Sequence, residues 1–269
     1  MSSGSHVWLM SETPYSCLRG KIEEVSLPVS QVDIIISEWM GYCLLYEAML
    51  DSILWARDRY LSPGGLLIPS NITLFIAPLA DPDYVADHVS FWRSVYGFNM
   101  QSMLAHIYDE VIVRDVEARN IAGIAHPFFR LDLYSITTEQ LEFANMKFTT
   151  RIEQDIDNLD GFVIWFDTFF LPSAQASNSL QPNVKAEEWA KSHGIAFTTG
   201  PGGPSTHWRQ GVCLIDHGES GSQALEKGVT IDGTIGYKKR ADNQRALDIE
   251  ICWEARDIQC FGKQEWSMR

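Results

Sequence analysis

The chain has 269 residues, 45% of them hydrophobic, enough to bury a substantial core without disulfide or metal support, and at roughly 150 residues per domain it implies about two domains. Its 35 Asp and Glu against 21 Lys and Arg give a formal charge of −14, a field that repels phosphate, disfavours nucleic acid as a direct ligand and favours cationic partners. No apolar run approaches the roughly 20 residues of a membrane span, and Met-Ser-Ser-Gly-Ser-His6 lacks both a basic region and an apolar stretch, so neither membrane insertion nor export is expected.

Residues 1–16 are mixed and show no period. The first clear element is Val32-Asp-Ile-Ile-Ile36, a β-branched run typical of a parallel strand buried on both faces. Leu45, Met49, Ile53, Ala56 and Tyr60 then recur at helical spacing, and Pro63-Gly64-Gly65 reads as the stop of that helix. A second helix is signalled by Asp81 with Pro82 in its first turn, carries Val85, Val89, Trp92 and Tyr96 on one face, and is expected to end near Gly97. Beyond about Val111 helical periods become scarce. Phe129–Tyr134, Phe162–Phe170 and Leu247–Trp253 read as strands of an antiparallel sandwich or barrel, and the Ser, Ala, Gln and Pro-rich residues 173–193 as a surface insertion. The five cysteines, at 17, 43, 213, 252 and 260, lack any Cys-x-x-Cys pairing and sit in contexts such as Gly-Val-Cys213-Leu-Ile. They read as reduced core thiols of an intracellular protein, cytoplasmic or nuclear, without structural zinc.

Chemistry concentrates in two places. Glu38 follows directly on the first strand, at the carboxyl end where open α/β sheets build their sites, and Glu47 follows nine residues later. Gly41 between them permits a tight bend that aims both carboxylates into one pocket, among Trp39, Met40, Tyr42, Leu44, Leu45 and Tyr46. Such a pair calls for a cation, and a guanidinium offers five N–H donors in a planar fork that fits carboxylates. The alternatives are an exposed helix turn starting at Glu47 and capped by Glu38, and a glycosidase carboxylate pair, for which no sugar cleft is evident. The second place is Gly200-Pro-Gly-Gly-Pro-Ser-Thr206-His207-Trp208, a rigid turn delivering His207 and Trp208 at the start of an apolar strand. Alone, a His beside a Trp reads as a packed structural residue more often than as chemistry.

Together these residues resemble one family. Glu38-Trp-Met-Gly-Tyr through Glu47 is similar to the double-E loop of protein arginine N-methyltransferases, and Thr206-His207-Trp208 to their THW loop. Val95-Tyr-Gly-Phe-Asn-Met100 resembles the dimerisation-arm segment of type I members, and Arg19-Gly-Lys-Ile-Glu-Glu-Val25 the stretch contacting the adenine of the cofactor. The resemblance runs from about Cys17 to Arg269, nearest to the type I branch whose full-length members carry an N-terminal zinc finger, of which no trace is present here. It implies part of a Rossmann-like methyltransferase domain over 17–68 and a β-barrel domain over 69–269, with a helical dimerisation arm at about 81–105. It further implies S-adenosyl-L-methionine-dependent asymmetric methylation of arginine, with Glu38 and Glu47 catalytic and Met40, Tyr42, Met49, His207 and Trp208 on the substrate side. Ile22 and Glu23 would lie on the cofactor side. The implied partners are Arg-Gly-rich segments, histones, ribosomal and RNA-binding proteins among them, and a second copy of the chain. The sequence departs from the family in lacking an Asp-x-Gly-x-Gly-x-Gly turn: residues 1–16 contain only Gly4. Cofactor binding is therefore expected to be weak or absent, and a catalytically silent module that binds Arg-rich segments and dimerises is the other reading.

Overall fold

The computed structural model describes residues 6–9, 16–181, 183–218, 224–255, 258 and 260–269, so the expectation of an irregular segment over 1–16 falls largely outside the described residues. Within it, β1 (His6–Leu9) pairs antiparallel with β2 (Ser16–Arg19). β3 (Val32–Ile36), α1 (Leu50–Tyr60) and β4 (Leu61–Ile68) then form a strand–helix–strand unit whose strands run parallel. Asp51 in the first turn of α1 and Arg57 and Arg59 in its last complement the helix dipole.

Three local expectations need correction. The helical stripe begins later than the periodicity implies: Leu45 and Met49 precede α1, because Glu47 and Ala48 have φ of 77° and 55° and Glu47 donates its N–H to Arg245 instead of to a helical carbonyl. The helix ends at Tyr60, and Pro63-Gly64-Gly65 lies inside β4, where the register against β3 shifts between Val32 and Ile34. The β3 strand is not buried on both faces. Ile22, Val32 and Ile35 pack with Ala56 and Tyr60 of α1 on one side, while Ile34 and Ile36 are 51% and 72% exposed because no described element pairs with the second edge or covers that face.

The rest of the chain builds two antiparallel sheets. Its elements are β5 (Asn71–Leu79), α2 (Pro82–His88), β6 (Ile112–Arg114), β7 (His126–Asp132), β8 (Phe143–Arg151), β9 (Gly161–Phe170), α3 (Ala186–Ser192), β10 (Ile195–Thr198), β11 (Gln210–Leu214), β12 (Thr230–Lys239), β13 (Leu247–Ala255) and β14 (Cys260–Met268). One sheet runs β6-β11-β9-β5-β7, with β10 also on β9; the other runs β14-β13-β12-β8. β5 and β9 are buried along almost their whole length, as central strands covered on both faces should be. The second sheet alternates instead: Leu247, Ile249, Ile251, Trp253 and Ala255 of β13 point inward, and the residues between them lie nearer solvent. Phe148, Phe162 and Trp253 meet edge to face in the shared core. The barrel closes where Val111 donates to the Ser267 carbonyl and Ser267 to that of Asp109, and on the opposite side where a capped turn at Thr138–Leu141 leads from β7 into β8. This is the mixed α/β and barrel architecture expected.

α2 starts as expected, with the Asp81 carboxylate accepting the Tyr84 N–H, but ends at His88, well before Gly97. A tight Val95–Phe98 hairpin, with Tyr96 and Gly97 at positive φ, breaks the apolar stripe. Residues 173–193 fold onto the barrel, with Trp189 of α3 packed against Phe169, Leu171 and Leu180. Contacts of three side chains tie the strand–helix–strand unit to the barrel and thereby hold the loop between β3 and α1. Arg57 donates to the carbonyls of Leu133 and Ile136, the Tyr134 hydroxyl accepts the Leu67 N–H, and Lys239 pairs with Asp51 at 2.7 Å.

Candidate functional site

The 37–49 loop leaves β3 at Ser37, whose N–H reaches the Ile68 carbonyl of β4. Trp39, Met40, Cys43, Leu44 and Leu45 are buried, and this apolar anchor leaves Glu38 and Tyr42 exposed and Glu47 half-buried. The bend comes from reciprocal bonds between Gly41 and Leu44, with Cys43 and Leu44 at φ of 47° and 73°. Gly41 is needed for space, not for positive φ: a Cβ there would lie 1.9 Å from the Tyr46 carbonyl oxygen. Four non-glycine residues of one short loop at positive φ constitute strain that surrounding contacts must hold.

Those contacts come from three distant segments of the chain. Gly211 of β11 leaves room for the Cys43 thiol, whose sulfur would stand 2.2 Å from an added Cβ. Burial pushes that thiol up to about 12, offset in part by the neighbouring Tyr237 hydroxyl, so Cys43 stays protonated and acts as packing. Cys213 is buried as well, whereas Cys17 on β2 is exposed and not a core thiol. The Trp208 indole N–H donates to the Met40 carbonyl at 2.7 Å, with its ring packed on Phe197, Phe166 and His207. The Thr206–Trp208 turn is thus fastened to the glutamate loop, with Trp208 as the strut. His207 remains exposed beside it.

The third contact was not legible from motif spacing. Glu47 donates its N–H to the Arg245 carbonyl at 2.8 Å, and its carboxylate accepts the Arg245 guanidinium at 2.9 Å. Arg245 sits on the turn between β12 and β13, 198 positions away, where Asn243-Gln-Arg245 carries no pattern that marks it. The Glu38 carboxylate makes no hydrogen bond or ion pair with the described residues.

The remaining residues expected at the site fall elsewhere. Met49 is half-buried beside a small gap lined by Leu44, Leu45, Leu141 and Lys239, between the loop and the barrel. Ile22 is buried beneath α1 with Ala56 and Tyr60, and the Glu23 carboxylate accepts the Ser52 hydroxyl at the start of that helix. Ile22 thus packs in the core, while the exposed Glu23 carboxylate keeps acceptor capacity beside its one bond to Ser52.

Comparison with known proteins gives a consistent answer. Residues 70–258 match the family model of the arginine methyltransferase oligomerization subdomain. The chain is 38% identical over 239 residues to ribosomal protein arginine N-methyltransferase rmt3 of Schizosaccharomyces pombe, covering 88% of this chain and 41% of that protein. It is 36% identical over 238 residues to protein arginine N-methyltransferase 1 of Saccharomyces cerevisiae, covering 88% of this chain and 62% of the other. The chain thus spans about half the length of these relatives. Among solved structures, the Trypanosoma brucei PRMT1 enzyme–prozyme heterotetrameric complex with AdoHcy superposes with a TM-score of 0.77 at 26% identity, over 94% of this chain and 73% of that one.

Proposed function

This chain belongs to the protein arginine N-methyltransferase family, and from that premise we propose that it binds the side chain of a substrate arginine between Glu38 and Glu47 for methylation dependent on S-adenosyl-L-methionine. The observation that carries the reading is the Glu47 carboxylate holding a guanidinium, that of Arg245, at 2.9 Å on a loop otherwise built from buried apolar anchors.

A guanidinium, with a pKa above about 12, is a poor nucleophile because its lone pairs are delocalised. Two carboxylates drawing positive charge toward the N–H groups they bind leave the third nitrogen richer in electrons and fix its direction of approach. Tyr42 is exposed on the same loop, stacked with Tyr46, and His207 is exposed on the turn fastened to it; both are assigned to the rim of the arginine site. Glu23, exposed and with lone pairs to spare, is assigned to the cofactor side, with Ile22 packed next to it. Type I chemistry, two methyl groups on one nitrogen, belongs to the same proposal.

The partner chemistry follows from charge and the arm. A net charge of −14 suits Arg-Gly-rich protein segments, such as those of histones or ribosomal proteins. Phe91, Tyr96, Phe98 and Met103, with exposures of 48%, 96%, 72% and 54%, form an apolar surface over an arm whose base is fixed by Arg114 on Asp81 and Tyr84. That surface supports a homodimer.

The test is transfer of labelled methyl from S-adenosyl-L-methionine to an Arg-Gly-Gly peptide. Glu38→Gln and Glu47→Gln should each lower the rate at least about 100-fold, or about 2.7 kcal/mol, as loss of a preorganised electrostatic partner does. Undiminished transfer by either variant would overturn the assignment. Binding of the peptide without transfer would favour the alternative, a silent binding and dimerisation module.

A further inference from the structure

We propose that Arg245 is an internal competitor for the substrate-arginine site: its guanidinium occupies Glu47, and an incoming arginine must displace it. This rests on the reading of Glu38 and Glu47 given above and adds a regulatory contact to it.

The turn formed by residues 240–246 is shaped to present this side chain. Arg240 pairs with Asp242 at 2.9 Å, the Asn243 side chain accepts the Arg245 N–H at 3.1 Å, and the Ala246 N–H reaches the Asn243 carbonyl at 2.9 Å. At the root of the hairpin Lys239 is paired with Asp51 of α1, so the turn is held over the loop from the side of the helix as well. Arg245 is then joined to Glu47 twice, by backbone and by side chain. The guanidinium therefore sits on one of the two carboxylates proposed for substrate, in the chemical form a substrate would take.

The geometry also makes the contact exchangeable. The Arg245 and Glu47 side chains are 58% and 37% exposed, and ion pairs this open to water are weak and screened by salt. The backbone bond from Glu47 to Arg245 survives without the side-chain pair, so the Arg245 side chain can swing away while the loop keeps its shape. Glu38, free of partners among the described residues, is the first carboxylate available to an incoming guanidinium, and capture there places the guest beside the pair it has to break.

A competitor that holds the site most of the time lowers apparent affinity by the fraction of time the site is open. Removing it should therefore tighten arginine binding by about 5-fold. The experiment is calorimetric titration of an Arg-Gly-Gly repeat peptide, beside the same peptide with Lys for Arg, into the full chain and its Arg245→Gln and Glu47→Gln variants. The proposal expects Arg245→Gln to bind the Arg peptide about 5-fold more tightly, with a smaller gain for the Lys peptide, and Glu47→Gln to lose most binding. Unchanged or weaker binding by Arg245→Gln would overturn it and make Arg245 a clamp that positions Glu47. An equal gain for both peptides would overturn it too, as a general effect of the lost positive charge. If no variant prefers Arg to Lys, the arginine-site reading itself has failed, an outcome distinct from the other two. Matching urea midpoints for the wild type and Arg245→Gln would exclude misfolding as the source of any difference.

Discussion

Replacing Trp208 with phenylalanine tests whether the Thr206–Trp208 turn works as a strut for the glutamate loop. Phenylalanine keeps an aromatic ring against Phe197 and Phe166 but cannot donate to the Met40 carbonyl, now bonded at 2.7 Å. Met40 is 6% exposed, so its carbonyl oxygen would be left without water or a substitute donor. Orphaning a buried acceptor costs about 1–3 kcal/mol, and because Trp208 is only partly buried the lower part of that range, about 1–2 kcal/mol, applies. For a chain of this size each kcal/mol corresponds to roughly 2–4 °C, giving a fall in Tm of about 2–8 °C. Thermal unfolding followed by circular dichroism measures the first effect, and titration of the Arg-Gly-Gly peptide the second, since a loosened loop should bind arginine more weakly. A Trp208→Phe variant with wild-type Tm and wild-type peptide affinity would refute the strut.

Gly41→Ala places a methyl against the Tyr46 carbonyl and should cost more than 2 kcal/mol by urea unfolding, well above the roughly 1 kcal/mol typical of a point substitution; a neutral result would mean that the loop does not close as described. Burial raises the Asp167 carboxyl to about 6, offset in part by the Thr198 hydroxyl and the Ala186 N–H at the start of α3. The folded state then binds its proton more tightly than the unfolded state, so this residue's contribution to stability falls as pH rises from about 4 to 6 and stays low above that. Asp167→Asn should accordingly gain on the wild type over that window by about 1–3 kcal/mol, and equal pH profiles in urea titrations would contradict the assignment. Among the described residues β3 has one unpaired edge, with Ile34 and Ile36 exposed beside it, an arrangement that invites self-association; Ile36→Lys should lower the mass seen by light scattering, and scattering identical to the wild type would contradict that role for β3.

What the sequence made legible was the part governed by short-range pattern. The strands at 162–170 and 247–253 follow from burial and alternation, the one expected at 129–134 lies three residues earlier at its start and two at its end, as β7, and Asp81-Pro82 marks the start of α2 through chemistry confined to one turn. The glutamate loop was legible in residue types but not in shape. Cys43, Leu44, Glu47 and Ala48 take positive φ because Gly211, Trp208 and Arg245 hold them there, and no local rule assigns that conformation to a leucine or a glutamate. Gly41 stood out for the freedom of its backbone, yet its function is to let a carbonyl approach. Arg245 could not be read at all, since its meaning depends on the β12–β13 turn folding back over α1. The exposed face of β3 was misread for the opposite reason: an apolar run records a preference for burial without identifying what supplies it.

The most direct test of the account is a crystal structure of the chain with an Arg-Gly-Gly peptide bound. The account expects the arginine guanidinium within about 3.2 Å of carboxylate oxygens on both Glu38 and Glu47, with the Arg245 side chain displaced from Glu47. A peptide arginine bound anywhere else on the chain, with Arg245 still on Glu47, would contradict it.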